Sequence, residues 1–236
     1  MSKPTVVVWG GAGALGQEIV SELKKENATV ISVDLRANSA ADQSVVIKSD
    51  GTKEDAQSVL DAVQKVVING VDALICVAGG FEMGSFNSPD IFAQLEKMYA
   101  FNVRSSFASS WVASHTLNAN GLLVLTGAWG AFNKPTPFLS AYGAAKAATH
   151  HLTTSLAAST SDFKQGVSVV CMLPVMLDTP MNRSSAGPND KFDDWTPLNH
   201  IASLISKWTK GQERPANGSF VKVTTQSGET STSLVQ

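Results

Sequence analysis

The sequence predicts a single α/β domain, residues 1–236, built on one doubly wound parallel sheet with helices on both faces. Three observations predict it. Seven short runs rich in β-branched residues recur along the chain: TVVVWG, ATVISVD, SVVIKSD, VDALICVAG, GLLVLTG, GVSVVCMLP and SFVKVTT. Stretches of helical length separate most of them, at residues 14–26, 53–68, 88–118 and 140–159. The runs are nearly continuously apolar instead of alternating, as strands covered on both faces must be. Alternation of such strands with helices gives one parallel sheet and no second domain.

The first run leads into Gly10-Gly11-Ala12-Gly13-Ala14-Leu15-Gly16 and then a helix. Gly11, Gly13 and Gly16 fit the G-x-G-x-x-G dinucleotide fingerprint. Glycine is needed there for a tight turn, close backbone approach to a pyrophosphate and close helix–strand packing. The helix start then offers free N–H groups and a positive dipole end to phosphate. The second run ends at Asp34, eighteen residues beyond Gly16. A carboxylate there accepts from both adenosine ribose hydroxyls and repels a 2′-phosphate, which favours NADH over NADPH. Arg36, two residues on, softens that preference. Asp50, after the third run, is placed either to hold the adenine amino group or to cap the helix starting near Lys53. After the fourth run, Ala78-Gly79-Gly80 leaves a backbone with almost no side chains where a cofactor would pass.

The stretches 101–118 and 140–159 carry one formal charge each, Arg104 and Lys146. A helix lying on one sheet should keep a charged outer face. A homodimer that buries these two helices about a two-fold axis is therefore expected. The second of them places Tyr142 and Lys146 one turn apart on a shared face. An ammonium beside a phenol lowers its pKa, so such a tyrosine can pass a proton to or from a reacting group. Residues 178–199 are rich in Asp, Asn, Ser, Gly and Pro and follow a sheet strand directly. They read as a substrate loop able to act as a lid.

Composition narrows the partners. A net charge of −2 with no basic run excludes a nucleic-acid binder, and no apolar stretch reaches the ~20 residues of a membrane span. The N-terminus has no separable signal-peptide pattern, so a cytoplasmic protein is expected. Cys76 and Cys171 sit inside apolar runs as core thiols, and no metal site is expected. His115, His150, His151 and His200 have no second ligand at useful spacing and read as structural.

With these pieces in place the whole chain resembles the short-chain dehydrogenase/reductase family, through WGGAGALG, ICVAGG, LTGAWGAF, YGAAK and LPVMLDTPMNR. The resemblance implies a Rossmann-type seven-stranded sheet in the order 3-2-1-4-5-6-7, with Tyr142 as proton donor. It implies that Lys146 binds the nicotinamide ribose and lowers the tyrosine pKa, and that Asn102 orders a water in the proton relay. Pro174 and Thr179 match the segment that contacts the nicotinamide carboxamide, although Val175 stands where glycine is usual. Ala14 likewise replaces a common glycine. The largest departure is Ala128, at the position of the family's catalytic serine.

A ketone builds charge on one oxygen during reduction and needs a donor there. A conjugated acceptor spreads that charge through its ring. The resemblance accordingly implies a pterin substrate, a quinonoid dihydropterin reduced to the tetrahydropterin by NADH in a dimer. Phe81, Trp129 and Met181 are candidate walls for the ring. Two alternatives stand beside this reading. One is a carbonyl reductase in which Ser140 or Thr126 replaces the serine, although Ser140 reads more simply as a helix N-cap. The other is a non-catalytic nucleotide-binding protein on the same fold.

Overall fold

Apolar β-branched runs become strands here because both of their faces are covered, and the computed structural model, which describes residues 3–49, 51–67 and 69–235, shows what covers them. In chain order the strands and helices are β1 (Thr5–Trp9), α1 (Ala14–Lys25), β2 (Thr29–Asp34), β3 (Gln43–Val46), α2 (Lys53–Val66) and β4 (Val71–Cys76). There follow α3 (Ile91–Met98), α4 (Ser105–Thr116), β5 (Leu117–Thr126), α5 (Ser140–Ala158) and β6 (Ser168–Pro174). The chain ends with α6 (Pro180–Ser184), α7 (Leu198–Thr209), β7 (Phe220–Gln226) and β8 (Glu229–Val235).

The sheet order is β3-β2-β1-β4-β5-β6-β7-β8. The seven expected strands stand in the expected order and are parallel. An eighth strand, β8, which the sequence reading did not include, pairs antiparallel with β7. Its Ser/Thr-rich run ETSTSLV carries no buried face to mark it. What makes it is the hairpin turn, where Ser227 and Gly228 both have positive φ, as a type I′ connection needs.

Alternate residues of each strand feed opposite cores. Val6 and Val8 of β1 join Ile19 and Leu23 of α1 and Ile201, Ile205 and Trp208 of α7. Val7 and Trp9 point the other way, into a core with Val59 and Val63 of α2 and Val112 of α4. Among the described residues, no helix is long and apolar enough to cross a membrane.

Three local features depart from the sequence reading. The stretch 88–118 is not one helix: Tyr99–Arg104 forms a π-helical turn between α3 and α4, with Asn102 and Val103 buried. α5 begins at Ser140 itself, and Ser140 is not the N-cap. Leu139 holds the cap position without a side-chain cap, because it is pinned by a bridge to Gly84. Residues 178–199 hold α6 and a short 3-10 turn at Phe192–Asp194. Their base is closed by a bridge between Leu177 and Thr196, and their far side is tied to the β7–β8 turn by Ser227 N–H to Asp194 Oδ1 at 2.8 Å.

Candidate active site

The parallel strands β1, β4, β5 and β6 all end on one edge of the sheet, and there Gly10, Ala78, Gly79, Gly80, Asn102 and Lys146 come together. At the end of β1 the chain makes room by leaving side chains out. Gly10 has φ of 89°, and a Cβ on it would stand 2.5 Å from the Ala78 backbone nitrogen. A Cβ on Gly16 would fall on the Gly10 carbonyl oxygen and within 2.7 Å of Gly11 Cα, so glycine lets α1 lie close against the turn. The N-terminus of α1, at Gly13, Ala14 and Leu15, has no side-chain cap and no acidic residue in its first turn. A turn packed tightly enough to exclude a Cβ at Gly10 and Gly16, leading into the uncapped N-terminus of α1, fits the pyrophosphate of a dinucleotide.

Asp34 stands at the end of β2, where its Oδ2 accepts from the Ala12 N–H at 2.9 Å and its Oδ1 from the Arg36 N–H at 3.3 Å. Arg36 folds back so that its Nη2 donates to the Ala12 carbonyl at 3.2 Å. Sequence reasoning missed Asn38, which is buried and donates from Nδ2 to the Gly11 carbonyl at 2.6 Å. It lies in a polar loop stretch with no motif around it. Asp50 lies outside the described residues, and α2 is capped by Thr52 in a capping box with Asp55.

At the other end of the site, side chains do the positioning. Asn102 reaches from the π turn to the Ala78-Gly79-Gly80 turn. Its Nδ2 donates to the Gly80 carbonyl at 3.0 Å, and its Oδ1 accepts from the Gly80 N–H at 3.3 Å. Both ends of the amide are engaged, so what the geometry shows is a clamp on that turn. A Cβ on Gly79 would sit 2.7 Å from Asn102 Oδ1 and 3.4 Å from Lys146 Nζ, which places those two side chains around one point.

Lys146 is 4% exposed, and its Nζ donates to the Thr126 carbonyl at 2.8 Å. Burial pulls its pKa down to about 8. Tyr142 is pushed the other way, up to about 12, also by burial. This corrects the expectation that Lys146 lowers the phenol. In this structure the ammonium lies 5.8 Å from the tyrosine ring centre and is turned to Thr126, so desolvation decides. The result is a tyrosine that is protonated at neutral pH.

Phe81 meets the Tyr142 ring edge-on at 6.3 Å. Ala128 is buried, follows the end of β5, and donates its N–H to His150 Nε2 at 3.2 Å. Trp129 is engaged elsewhere: it stacks on Phe132 at 6.1 Å, with Lys134 and Lys222 within 4.5 Å of its ring centre. Met181 is 59% exposed on α6. Pro174 closes β6, and the Thr179 hydroxyl caps α6 by accepting from the Asn182 N–H at 3.1 Å. The Thr126 hydroxyl donates to the Cys76 carbonyl at 2.8 Å.

A glycine cradle at the first strand–helix turn, a carboxylate at the end of β2 and a Tyr-x-x-x-Lys pair beside them define a dinucleotide-dependent oxidoreductase site. The sequence profile described as short chain dehydrogenase matches residues 4–189, and the chain belongs to that family. Among its relatives, the chain is 42% identical over 228 residues to the dihydropteridine reductase of Dictyostelium discoideum, covering 96% of each sequence. Solved structures share the fold. A short-chain dehydrogenase/reductase from Serratia marcescens superposes with a TM-score of 0.77 at 23% identity, covering 96% of this chain and 98% of that one. A short chain dehydrogenase from Burkholderia cenocepacia in complex with NADP gives 0.72 at 24% identity, with 96% and 97% covered.

Proposed function

We propose that the protein reduces a quinonoid dihydropterin to the tetrahydropterin, with NADH as reductant. One observation carries the reading: the Tyr142–Lys146 pair is complete, while Ala128, just past the β5 end that Lys146 holds through Thr126, has no hydroxyl to offer a substrate oxygen. The likeness to the Dictyostelium dihydropteridine reductase supports it. For the rival carbonyl reductase, the Thr126 hydroxyl is a poor substitute, since its proton is spent on the Cys76 carbonyl.

When bound, the nicotinamide supplies the hydride. The glycine turn and the start of α1 would hold the pyrophosphate. Asp34 keeps lone pairs free beyond its two backbone donors and would accept from the ribose hydroxyls, disfavouring a 2′-phosphate. Asn102 keeps the Gly80 backbone in place, and Phe81 offers an aromatic edge to a flat ring. Tyr142, protonated at neutral pH, gives its hydroxyl proton to the ring as the hydride arrives. Two electrons and one proton come with the hydride, and the second proton comes from the phenol. Because a quinonoid ring is strongly electrophilic, placement and one acid are sufficient.

The assay is NADH oxidation with quinonoid dihydropterin generated in situ, run beside a panel of ketones and beside NADPH. Turnover of the pterin alone, faster with NADH, is expected. Turnover of ketones alone would transfer the site to the rival, and tight NADH binding with no turnover would make the protein a nucleotide binder. The reading also includes a homodimer through α4 and α5. Its support is the outer face of α4, where Phe107 is 57% and Trp111 38% exposed, together with the exposed Ala144, Ala147 and His151 of α5. A monomer mass by light scattering at micromolar concentration would remove that part.

A further inference from the structure

Lys146 and His150 lie one turn apart on α5, on the face that also carries Tyr142. Each takes a backbone group of the segment leaving β5. Lys146 Nζ donates to the Thr126 carbonyl at 2.8 Å, and the Ala128 N–H donates to His150 Nε2 at 3.2 Å. Gly127, between them, leaves the ring no slack: a Cβ there would stand 2.5 Å from His150 Nε2 and 2.6 Å from Leu173 Cδ2. The imidazole is 8% exposed and walled edge-on by Phe132 at 5.4 Å and Phe220 at 6.0 Å.

An acceptor at Nε2 fixes the tautomer, with the ring proton on Nδ1. Burial and the Lys146 charge push the histidine pKa down to about 4, so the lone pair is present at neutral pH. A buried amide N–H without a partner is costly, and among the described residues this nitrogen is the partner of the Ala128 N–H.

We propose that His150 is a positioning residue of the reaction: its Nε2 holds the Ala128 segment and occupies the Ala128 amide. The position that carries a serine elsewhere in the family then presents the acceptor with neither a hydroxyl nor a free N–H. A wall without donors suits a ring that spreads its charge and gives a localised ketone oxygen nothing to lean on. The kinetic side of this proposal rests on the pterin reading. The hold on Ala128 does not.

The test compares His150→Leu with His150→Gln, whose Oε1 can stand in for Nε2. Amide exchange at Ala128, followed by NMR in the ligand-free protein, is expected to quicken at least about tenfold in H150L and to stay protected in H150Q. In steady state, H150L is expected to lose about tenfold in kcat/KM for quinonoid dihydropterin, mainly through the acceptor KM. The NADH KM should stay within about twofold, and H150Q should recover most of the loss. Thermal melts of both variants correct the rates for folded fraction. Should H150L fail to fold, His150→Asn takes its place, because its amide reaches the Nδ1 position and not Nε2.

Unchanged exchange at Ala128 in the variant lacking the acceptor overturns the proposal. So does lost protection with acceptor kinetics unmoved, or a glutamine variant as impaired as the leucine one. If the parent protein does not turn over the pterin, the functional reading falls. The exchange measurement then decides alone whether His150 holds Ala128.

Discussion

The two ends of the ligand edge are built by opposite means. At the end of β1 the site exists because side chains are missing: Gly10 and Gly16 have backbone where a Cβ would stand. At the end of β5 it exists because side chains reach across to backbone, with Lys146 on Thr126, His150 on Ala128 and Asn102 on Gly80. The first end should therefore be damaged by adding atoms, the second by removing them.

The largest expected effect lies at the second end. Tyr142→Phe removes only the acid and should lower kcat on the pterin by roughly 100-fold without abolishing it, since the acceptor is so electrophilic. Rates like those of the parent, measured by NADH oxidation at saturating substrate, would strip Tyr142 of its role. Next comes Gly16→Ala, a single added methyl. Overpacking of this kind costs about 1–3 kcal/mol, so NADH affinity by fluorescence titration should weaken about tenfold or more. An unchanged affinity would mean that the turn is not a tight cradle and would end the contrast between the two halves.

The smallest effect concerns pH. His150 titrates near 4 when folded, against the ordinary value of 6.5. Between those values the unfolded chain binds a proton that the folded protein refuses. The stabilisation is therefore full above pH 6.5 and is lost as pH falls towards 4. The melting temperature should drop by on the order of 5 °C across that window, and H150Q should flatten the drop. An equal drop in both proteins would show that the imidazole is not kept neutral by the fold.

Legibility follows the same division. The glycine turn, Asp34 and the Tyr142–Lys146 spacing are local patterns, so they could be read along the chain. The positions of seven strands were legible too, because two-sided burial writes itself into apolar runs, while their order came from the family resemblance. β8 was not, since a polar edge strand is defined by its turn and its neighbour. Asn38 and His150 escaped for a related reason. Each acts on backbone far away in sequence, 27 residues for Asn38 and 22 for His150, and nothing in their surroundings announces it. Tyr142 escaped in part: its position was legible, but its protonation was not, because burial outweighs a neighbouring charge only once the distances are known.

The π turn at Tyr99–Arg104 has a consequence for how this chain can be altered. Each residue of an α-helix advances the rotation by about 100°, and a π turn absorbs one residue more than an α turn in the same span. Deleting one residue there should give a continuous α-helix in which α3 and α4 keep their phase. Phe107 and Trp111 would stay on the outer face, while Asn102 would lose the widened turn that carries it to Gly80. Substitutions at these positions are ordinary changes of side chain. A change of length removes the widened turn itself, and is felt first at Gly80.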